Sequence, residues 1–169
     1  VSLIEKKITK KTVAIMPVHL FGQPVDMEPV KKISKKYKLK IIEDCAEAHG
    51  VKYKNKVVGS FSQLSAFSFF SNKSITCGEG GMVCTNNSKY FSKANNMKNL
   101  FYGKKNRFMH EDVGYNYRLP NISAAIGLGQ LENFKKIVIE KDRIYKRYKD
   151  NLENSKYFKI PKVRDLSLI

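Results

Sequence analysis

Lys73 differs from the other lysines of this chain in the sequence that surrounds it. An apolar run at residues 65–70 leads into it, and a glycine cluster at residues 78–81 follows it. Desolvation at the end of a buried strand disfavours the charged form of a lysine. The neutral amine attacks carbonyl carbons, commonly to form a Schiff base, including one with pyridoxal phosphate. Lys73 is therefore the candidate for covalent chemistry if other residues supply partners for the imine.

Two further polar side chains follow predicted strands. His19 comes after residues 12–18, and Asp44 comes after residues 39–43. Because ligands of open α/β sheets bind at the carboxyl ends of strands, we expect His19, Asp44 and Lys73 at one edge of one sheet. The carboxylate of Asp44 suits the N–H of a pyridinium ring, but it suits equally the cap of the turn that follows.

The pattern of apolar and turn residues predicts the elements that position these side chains. A strand, a helix from the N-cap Asp26 to Lys38 with Pro29 in its first turn, and a second strand form a βαβ unit. Such a unit predicts an α/β fold whose mainly parallel sheet is flanked by helices. We further expect strands at residues 65–70 and 80–85, a helix after Asn87 to about residue 100, a loop over residues 101–120, and a helical stretch from residue 121 toward residue 148 that can contain a break.

Composition limits the classes of function. The 169 residues are 42% hydrophobic, as in a globular protein, and no apolar run is long enough for a membrane helix. The formal net charge of +17 comes from dispersed lysines rather than clustered arginines, which disfavours nucleic-acid binding. An anionic, nucleotide-linked small substrate suits the same charge.

The three cysteines are expected to be free, packed thiols. Cys45, Cys77 and Cys84 show no CxxC spacing and are odd in number, which argues against a disulfide framework and a zinc site. We therefore predict no metal and a reducing, cytoplasmic location.

Five motifs occur in order along the chain: residues 19–24 (His-Leu-Phe-Gly-Gln-Pro), 43–50 (Glu-Asp-Cys-Ala-Glu-Ala-His-Gly), 67–73 (Phe-Ser-Phe-Phe-Ser-Asn-Lys), 78–82 (Gly-Glu-Gly-Gly-Met) and 114–118 (Gly-Tyr-Asn-Tyr-Arg). Together they resemble the sugar aminotransferases of the DegT/DnrJ/EryC1/StrS family, which are pyridoxal-phosphate enzymes of the aspartate aminotransferase fold (fold type I). The resemblance runs from about His19 to about Leu131. It implies part of the large cofactor-binding domain over residues 1–131 and a helical linker toward a small C-terminal domain over residues 132–169.

The resemblance also implies roles for individual residues. Lys73 matches the Schiff-base lysine, which moves the proton during amino transfer. Asp44 matches the partner of the pyridine nitrogen, and Glu47 matches the residue that approaches the ring hydroxyl. Ala46 matches a small residue packed on the ring face.

Two more roles concern the cofactor phosphate. Ser68 matches a hydroxyl that binds it, although a strand serine can simply bond to backbone. Asn116 matches a residue that reaches the phosphate in the neighbouring subunit's site, which implies a homodimer with shared active sites. The alternative for Asn116 is a loop residue that tolerates a left-handed conformation.

The remaining conspicuous residues receive no chemical step. His19, His49 and His110 are expected to be structural or close to substrate. The glycine cluster at residues 78–81 lacks the ending of a phosphate-binding P-loop, and we expect a tight turn that lets the backbone pass close to Lys73.

The implied reaction is amino transfer, with glutamate as donor and a keto sugar as acceptor. Glu47, where many relatives carry glutamine, resembles the perosamine synthase branch of the family, which aminates a GDP-linked 4-keto-6-deoxy sugar. One alternative is a truncated, inactive paralogue that acts as a binding module. Another is a sugar dehydratase, which Lys73 disfavours because those relatives carry histidine at this position.

Members of the resembled family are considerably longer than 169 residues. We therefore expect a fragment that lacks both ends of the enzyme. Such a fragment should show little transaminase activity alone and should expose apolar surface.

Overall fold

A four-stranded mixed sheet forms the centre of the computed structural model, which describes residues 1–103, 106 and 108–160. Its strand order is β1-β2-β5-β6, with two parallel junctions followed by an antiparallel one between β5 and β6. The strands are β1 (Ala14–Ile15), β2 (Lys40–Asp44), β5 (Leu64–Ser68) and β6 (Gly81–Cys84). The predicted α/β class with a mainly parallel sheet is confirmed.

The helices are α1 (Met27–Tyr37), α2 (Ser88–Lys98), α3 (Asn121–Glu132) and α4 (Phe134–Leu152), with short 3-10 turns at Glu5–Lys7 and Leu20–Gly22. A small hairpin of β3 (Lys52–Tyr53) and β4 (Lys56–Val57) was not predicted. Its turn uses Lys54 and Asn55 at positive φ without a glycine, so the sequence carries only a weak turn signal.

The βαβ unit is built as the sequence predicts, with two local differences. Met27 and Val30 of α1 are fully buried and pack with Ile41 of β2. Asp26 occupies the N-cap position, but its carboxylate accepts a hydrogen bond from the Tyr53 hydroxyl instead of capping the helix. The strand predicted at residues 12–18 is short because Pro17 has no N–H to contribute to a ladder.

The segment after β1 nevertheless stays against β2. Val18 pairs with Asp44 in an isolated parallel bridge, so the predicted strand continues as a single contact beyond Pro17. A second core of Cys45, Ala48, Val51 and Val58 packs below the end of β2 and against Phe67 of β5. The first core joins α1 to β2, and the second joins the end of β2 to β5.

The helices after β6 confirm the predicted cap and break. Asn87 caps α2 by accepting hydrogen bonds from the N–H groups of Lys89 and Tyr90. The long helical stretch is interrupted at Asn133 into α3 and α4. The division into domains at residues 131 and 132 stays a prediction, and its last nine residues lie outside the described part.

Apolar side chains are exposed on the edge strand β6 and on α3, as expected from the sequence. Met82 and Val83 are 52% and 58% exposed although they point to opposite faces of the sheet. Ile122 of α3 is 79% exposed, and the same helix exposes Ile126, Leu128 and Leu131. No helix among the described residues has the length and apolar character needed to cross a bilayer.

Candidate active site

Lys73 and Glu47 meet at the carboxyl edge of the sheet. The Lys73 Nζ atom lies 3.4 Å from the Glu47 Oε1 atom. The side chains of the two residues are only 15% and 31% exposed, respectively. The ammonium therefore has a carboxylate partner in a recessed position, five residues after β5 ends.

Asp44 is fixed by its backbone on both sides. Its N–H donates to the Pro17 carbonyl (2.9 Å), and its own carbonyl accepts the His19 N–H (3.0 Å). On the other side the Cys45 N–H donates to the Ala66 carbonyl of β5 (2.8 Å). We call these three bonds the Asp44 clamp.

The Asp44 side chain serves the turn and retains capacity for a ligand. Its Oδ1 atom accepts the Ala46 N–H at 3.0 Å, which is the turn cap considered from the sequence. Among the described residues its Oδ2 atom has no recorded hydrogen bond, so the carboxylate can hold a second donor. The two interpretations of Asp44 are therefore compatible.

Glu47 is oriented by a backbone group of the preceding loop. Its Oε2 atom accepts the Phe21 N–H at 2.9 Å, while Oε1 faces Lys73. The Phe21 N–H holds the pKa of Glu47 below its ordinary value, and Lys73 adds to this effect. Glu47 is therefore a carboxylate at neutral pH, with one oxygen committed to the loop and one to the lysine.

Ser68 closes β5 and bonds to backbone, and among the described residues no acceptor is recorded for its hydroxyl hydrogen. Its Oγ atom accepts the Phe70 N–H at 3.2 Å. The proton of that hydroxyl remains available to an anion beside the Lys73 turn, in which the Lys73 N–H donates to the Phe70 carbonyl (3.0 Å). The alternative of a backbone-bonded strand serine is correct, and it does not exclude a phosphate ligand.

The glycine cluster approaches β5 more directly than it approaches Lys73. The Phe69 N–H donates to the Gly80 carbonyl at 2.8 Å. A Cβ atom on Gly81 would lie 3.0 Å from the Phe67 carbonyl oxygen, and one on Gly80 would lie 2.8 Å from the Cys77 sulfur. Because Gly80 and Gly81 have no Cβ atom, this turn packs closely against β5. Any effect of the turn on Lys73 is therefore transmitted through β5.

His49 is buried beneath the site between aromatic rings. Its ring lies 5.8 Å from those of Phe67 and Phe69, and in the described structure neither nitrogen has a hydrogen bond of standard geometry. Burial lowers the pKa of His49. The Ser68 carbonyl opposes this with a smaller raising effect on the pKa, and the positive charge of Lys73 adds a still smaller lowering effect. His49 therefore packs as a neutral ring, consistent with its having no chemical step.

Glu43 and His19 form a fully buried pair that the sequence analysis missed. His19 Nε2 lies 3.1 Å from Glu43 Oε2, and neither side chain is exposed to solvent. The Val25 N–H donates to His19 Nδ1 (3.1 Å), so a neutral His19 carries its hydrogen on Nε2 and donates it to Glu43. The sequence did carry one sign of this pair. Glu43 and Ile41 are two residues apart in β2 and therefore share its buried face, where an unpaired charge is not tolerated.

The loop after β4 completes the surroundings of Glu43. The Gly59 N–H donates to Oε2 (2.7 Å), and the Phe61 N–H donates to Oε1 (2.8 Å). The Ser62 hydroxyl lies 2.7 Å from Oε1 and also 2.7 Å from the Leu64 carbonyl. Burial raises the pKa of Glu43, but the hydrogen bond to His19, together with those from Ser62, Gly59 and Phe61, outweighs it and keeps the pKa below its ordinary value of 4.5.

The group of His19, Glu43 and Cys45 has the ligand types of a metal site, but its histidine and carboxylate atoms already have hydrogen-bond partners. Their ligand atoms lie within 4.8 Å of one another. Both His19 nitrogens and both Glu43 oxygens are already hydrogen-bonded, however. Burial and the nearby carboxylates raise the pKa of Cys45 to about 12, which disfavours the thiolate that a metal requires.

Acid titration of Glu43 should appear in the stability of the protein. Because the folded-state pKa lies below 4.5, the ionised carboxylate stabilises the fold fully above that pH, and this contribution is lost as the pH falls through the folded-state value. We expect Glu43→Gln to lower the free energy of unfolding by about 1–3 kcal/mol near neutral pH, since it leaves buried donors unpaired. Urea unfolding from pH 7 to pH 3 should show the difference from wild type narrowing below about pH 4.5.

The matched control for this titration is Glu5→Gln. Glu5 forms an exposed pair with Lys36, and its loss should leave the urea midpoint nearly unchanged. A Glu43→Gln deficit that stays constant down to pH 3 would contradict the assignment of a depressed pKa.

Among the described residues of one chain, no recorded hydrogen bond joins Asn116 to Lys73. It is exposed, and it pairs through its backbone with Asn99 in an isolated antiparallel bridge. It is not among the residues with positive φ, so the left-handed alternative is wrong. Ala46, by contrast, lies between Asp44 and Glu47, to which the cofactor-ring roles are assigned.

A family model described as "DegT/DnrJ/EryC1/StrS aminotransferase family" matches residues 1–167. The match extends beyond the predicted limits of His19 and Leu131 at both ends.

Curated relatives and solved structures agree with this family. GDP-perosamine synthase of Escherichia coli O157:H7 is 49% identical over 154 residues, which are 91% of this chain and 42% of that protein. GDP-perosamine synthase of Vibrio cholerae is 44% identical over 149 residues, which are 88% of this chain and 41% of that protein. The structure of Helicobacter pylori PseC, an aminotransferase involved in pseudoaminic acid biosynthesis, has a TM-score of 0.85 at 34% identity and covers 90% of this chain and 42% of that one. The chain thus spans about two fifths of the length of the relatives it matches.

Proposed function

Because the chain belongs to the DegT/DnrJ/EryC1/StrS aminotransferase family, we propose that the whole protein transfers an amino group from glutamate to a nucleotide-linked 4-keto-6-deoxy sugar, with pyridoxal phosphate as cofactor. The observation that carries the proposal is the recessed Lys73 amine, 3.4 Å from Glu47, on the strand edge that also bears Asp44. These 169 residues span about 42% of the first relative's length, so turnover is proposed for the whole protein.

The donor set fits pyridoxal phosphate group by group. Lys73 offers an amine for the carbonyl carbon, and Asp44 offers its Oδ2 atom for a pyridinium N–H. Ser68 offers a hydroxyl hydrogen for the phosphate. Ala46, which lies between the two carboxylates in sequence, offers a side chain small enough for a flat ring to pack on.

Each of these residues has a defined task in amino transfer. When bound, the cofactor supplies an electron sink for the pair released as a proton leaves the substrate carbon. Asp44 keeps the ring nitrogen protonated; the Asp44 clamp fixes its backbone, and the Ala46 N–H orients its carboxylate. Lys73 takes up and returns the proton at Nζ, and Glu47 holds that amine in place between the two transfers.

We propose a GDP-linked 4-keto-6-deoxy sugar as acceptor. The acidic residue at position 47 and the similarity to GDP-perosamine synthases support this choice. The net charge of +17 suits an anionic sugar nucleotide. The three free cysteines support a reducing compartment, which we propose is the cytoplasm.

The acceptor is tested with the whole protein, glutamate and a panel of keto sugars linked to GDP, dTDP or UDP, with the amino sugar detected by mass spectrometry. We expect the GDP-linked 4-keto-6-deoxy sugar to give the highest kcat/KM. A product that has lost a sugar hydroxyl as water and gained no nitrogen would show that the protein is a dehydratase and not a transaminase. Cofactor attachment at Lys73 without any aminated product would favour an inactive paralogue that only binds.

We also propose a homodimer in which Asn116 serves the site of a second copy. Asn116 is exposed and has no recorded hydrogen bond to the Lys73 cluster in the described part of its own chain. The exposed apolar faces of β6 and α3 supply surface that a second copy can cover. Mixed dimers, described in the Discussion, test this arrangement.

A further inference from the structure

His19 is part of the Asp44 clamp and of the buried pair with Glu43. Its backbone N–H donates to the Asp44 carbonyl (3.0 Å), while its ring bonds to Glu43 (3.1 Å). Two residues later, the Phe21 N–H donates to Glu47 (2.9 Å). One short segment, residues 19–21, therefore contacts the backbone carbonyl of Asp44 and the carboxylate of Glu47, and the His19 ring fastens this segment to β2.

The surroundings of Glu43 require an ionised acceptor at this position. Three N–H groups point at its two oxygens, and none of them can become a hydrogen-bond acceptor. Two are backbone amides, and the third is the Nε2–H of a neutral His19, whose Nδ1 atom accepts the Val25 N–H. A glutamine amide would place its NH₂ group against Phe61 in one orientation, and against Gly59 and His19 in the other. Glu43→Gln thus keeps the shape of the side chain while it breaks the attachment of the segment.

We infer that Glu43 and His19 are positioning residues that set where Asp44 and Glu47 stand in the active site. The pair acts through the 19–21 segment. The bond between the His19 ring and Glu43 holds this segment in place. The segment in turn holds the Asp44 carbonyl through the His19 N–H and the Glu47 carboxylate through the Phe21 N–H. The consequence for the cofactor rests on the proposed function, whereas the consequence for the segment itself does not.

Hydrogen exchange on cofactor-free protein tests the mechanical part. In Glu43→Gln, the amides of His19, Phe21 and Ala46 should exchange about tenfold faster or more, because their acceptors on Asp44 and Glu47 are no longer held. The control is Phe134→Ala, which opens a buried position at the start of α4, outside both cores around the sheet, and is compared at equal loss of urea midpoint. Equal protection of the three amides in both variants would overturn the inference.

Cofactor binding tests the link to the site. Glu43→Gln should raise the dissociation constant of pyridoxal phosphate about tenfold and shift the pH midpoint of its visible absorption, while Phe134→Ala changes neither. Faster exchange with unchanged affinity and absorption would reduce the pair to a purely structural role and overturn the inference. If wild-type protein forms no adduct at Lys73, the proposed function fails, and the exchange result alone decides whether the pair positions the segment.

A second variant covers a failure of Glu43→Gln to fold. Ser62→Ala removes one hydroxyl donor and leaves the carboxylate with its three N–H partners. It should accelerate the same three amides by about threefold, in the same order of sensitivity. No acceleration in this folded variant would contradict the inference as well.

Discussion

Replacing Lys73 with alanine is expected to abolish the visible absorption of protein-bound pyridoxal phosphate and to lower amino-transfer turnover by about 10³-fold or more. The reason is that, in the proposed function, Lys73 supplies both the covalent attachment and the group that moves the proton. Borohydride reduction followed by peptide mass spectrometry should find the cofactor on Lys73 in wild-type protein and on no lysine in the variant. Stability should change little, since the ion pair with Glu47 is partly exposed.

The control for this result is Lys31→Ala, which removes the same charge from an exposed position on α1. It should keep the absorption, the reduced adduct and the turnover of wild type. An unchanged visible band in Lys73→Ala would refute the assignment of the attachment site.

The shared-site arrangement predicts complementation between two inactive variants. A mixture of Lys73→Ala and Asn116→Ala subunits assembles some dimers in which one site carries both defects and the other carries neither. After random assortment we expect about a quarter of wild-type turnover, although each variant alone is inactive. Turnover that stays at the level of the separate variants would place Asn116 in the site of its own chain.

Replacing Asp44 with asparagine is expected to lower turnover by about 10²-fold, the loss of one strong charged hydrogen bond to the ring nitrogen. The substitution is well matched because an asparagine oxygen can still accept the Ala46 N–H. The Asp44 clamp consists of backbone bonds and is retained. The urea midpoint should therefore stay close to that of wild type while turnover falls.

The charge-matched control is Asp142→Asn. Asp142 forms an exposed pair with Lys146 within α4. Its loss should leave both turnover and the visible absorption unchanged. A large drop in the urea midpoint of Asp44→Asn, parallel to the fall in turnover, would show that Asp44 acts mainly on the fold.

The sequence predicted those site residues whose position depends only on the direction and order of the strands. Asp44 and Lys73 follow strands that the sequence predicts, so their placement at one sheet edge follows from the parallel topology of those strands. The Phe21 bond to Glu47 depends on a loop residue at a φ of 52°, which no periodic pattern encodes. The Glu43 network likewise uses backbone N–H groups of a turn, and any residue type can supply those. Burial parity on β2 was the one readable sign of it.

The Asp44 clamp has an evolutionary consequence. All three of its bonds join backbone atoms, so they do not depend on which side chains stand at Pro17 or Ala66. The exposed Ala66 can therefore vary without moving the Asp44 backbone, whereas the buried Pro17 is also constrained by the packing of its side chain.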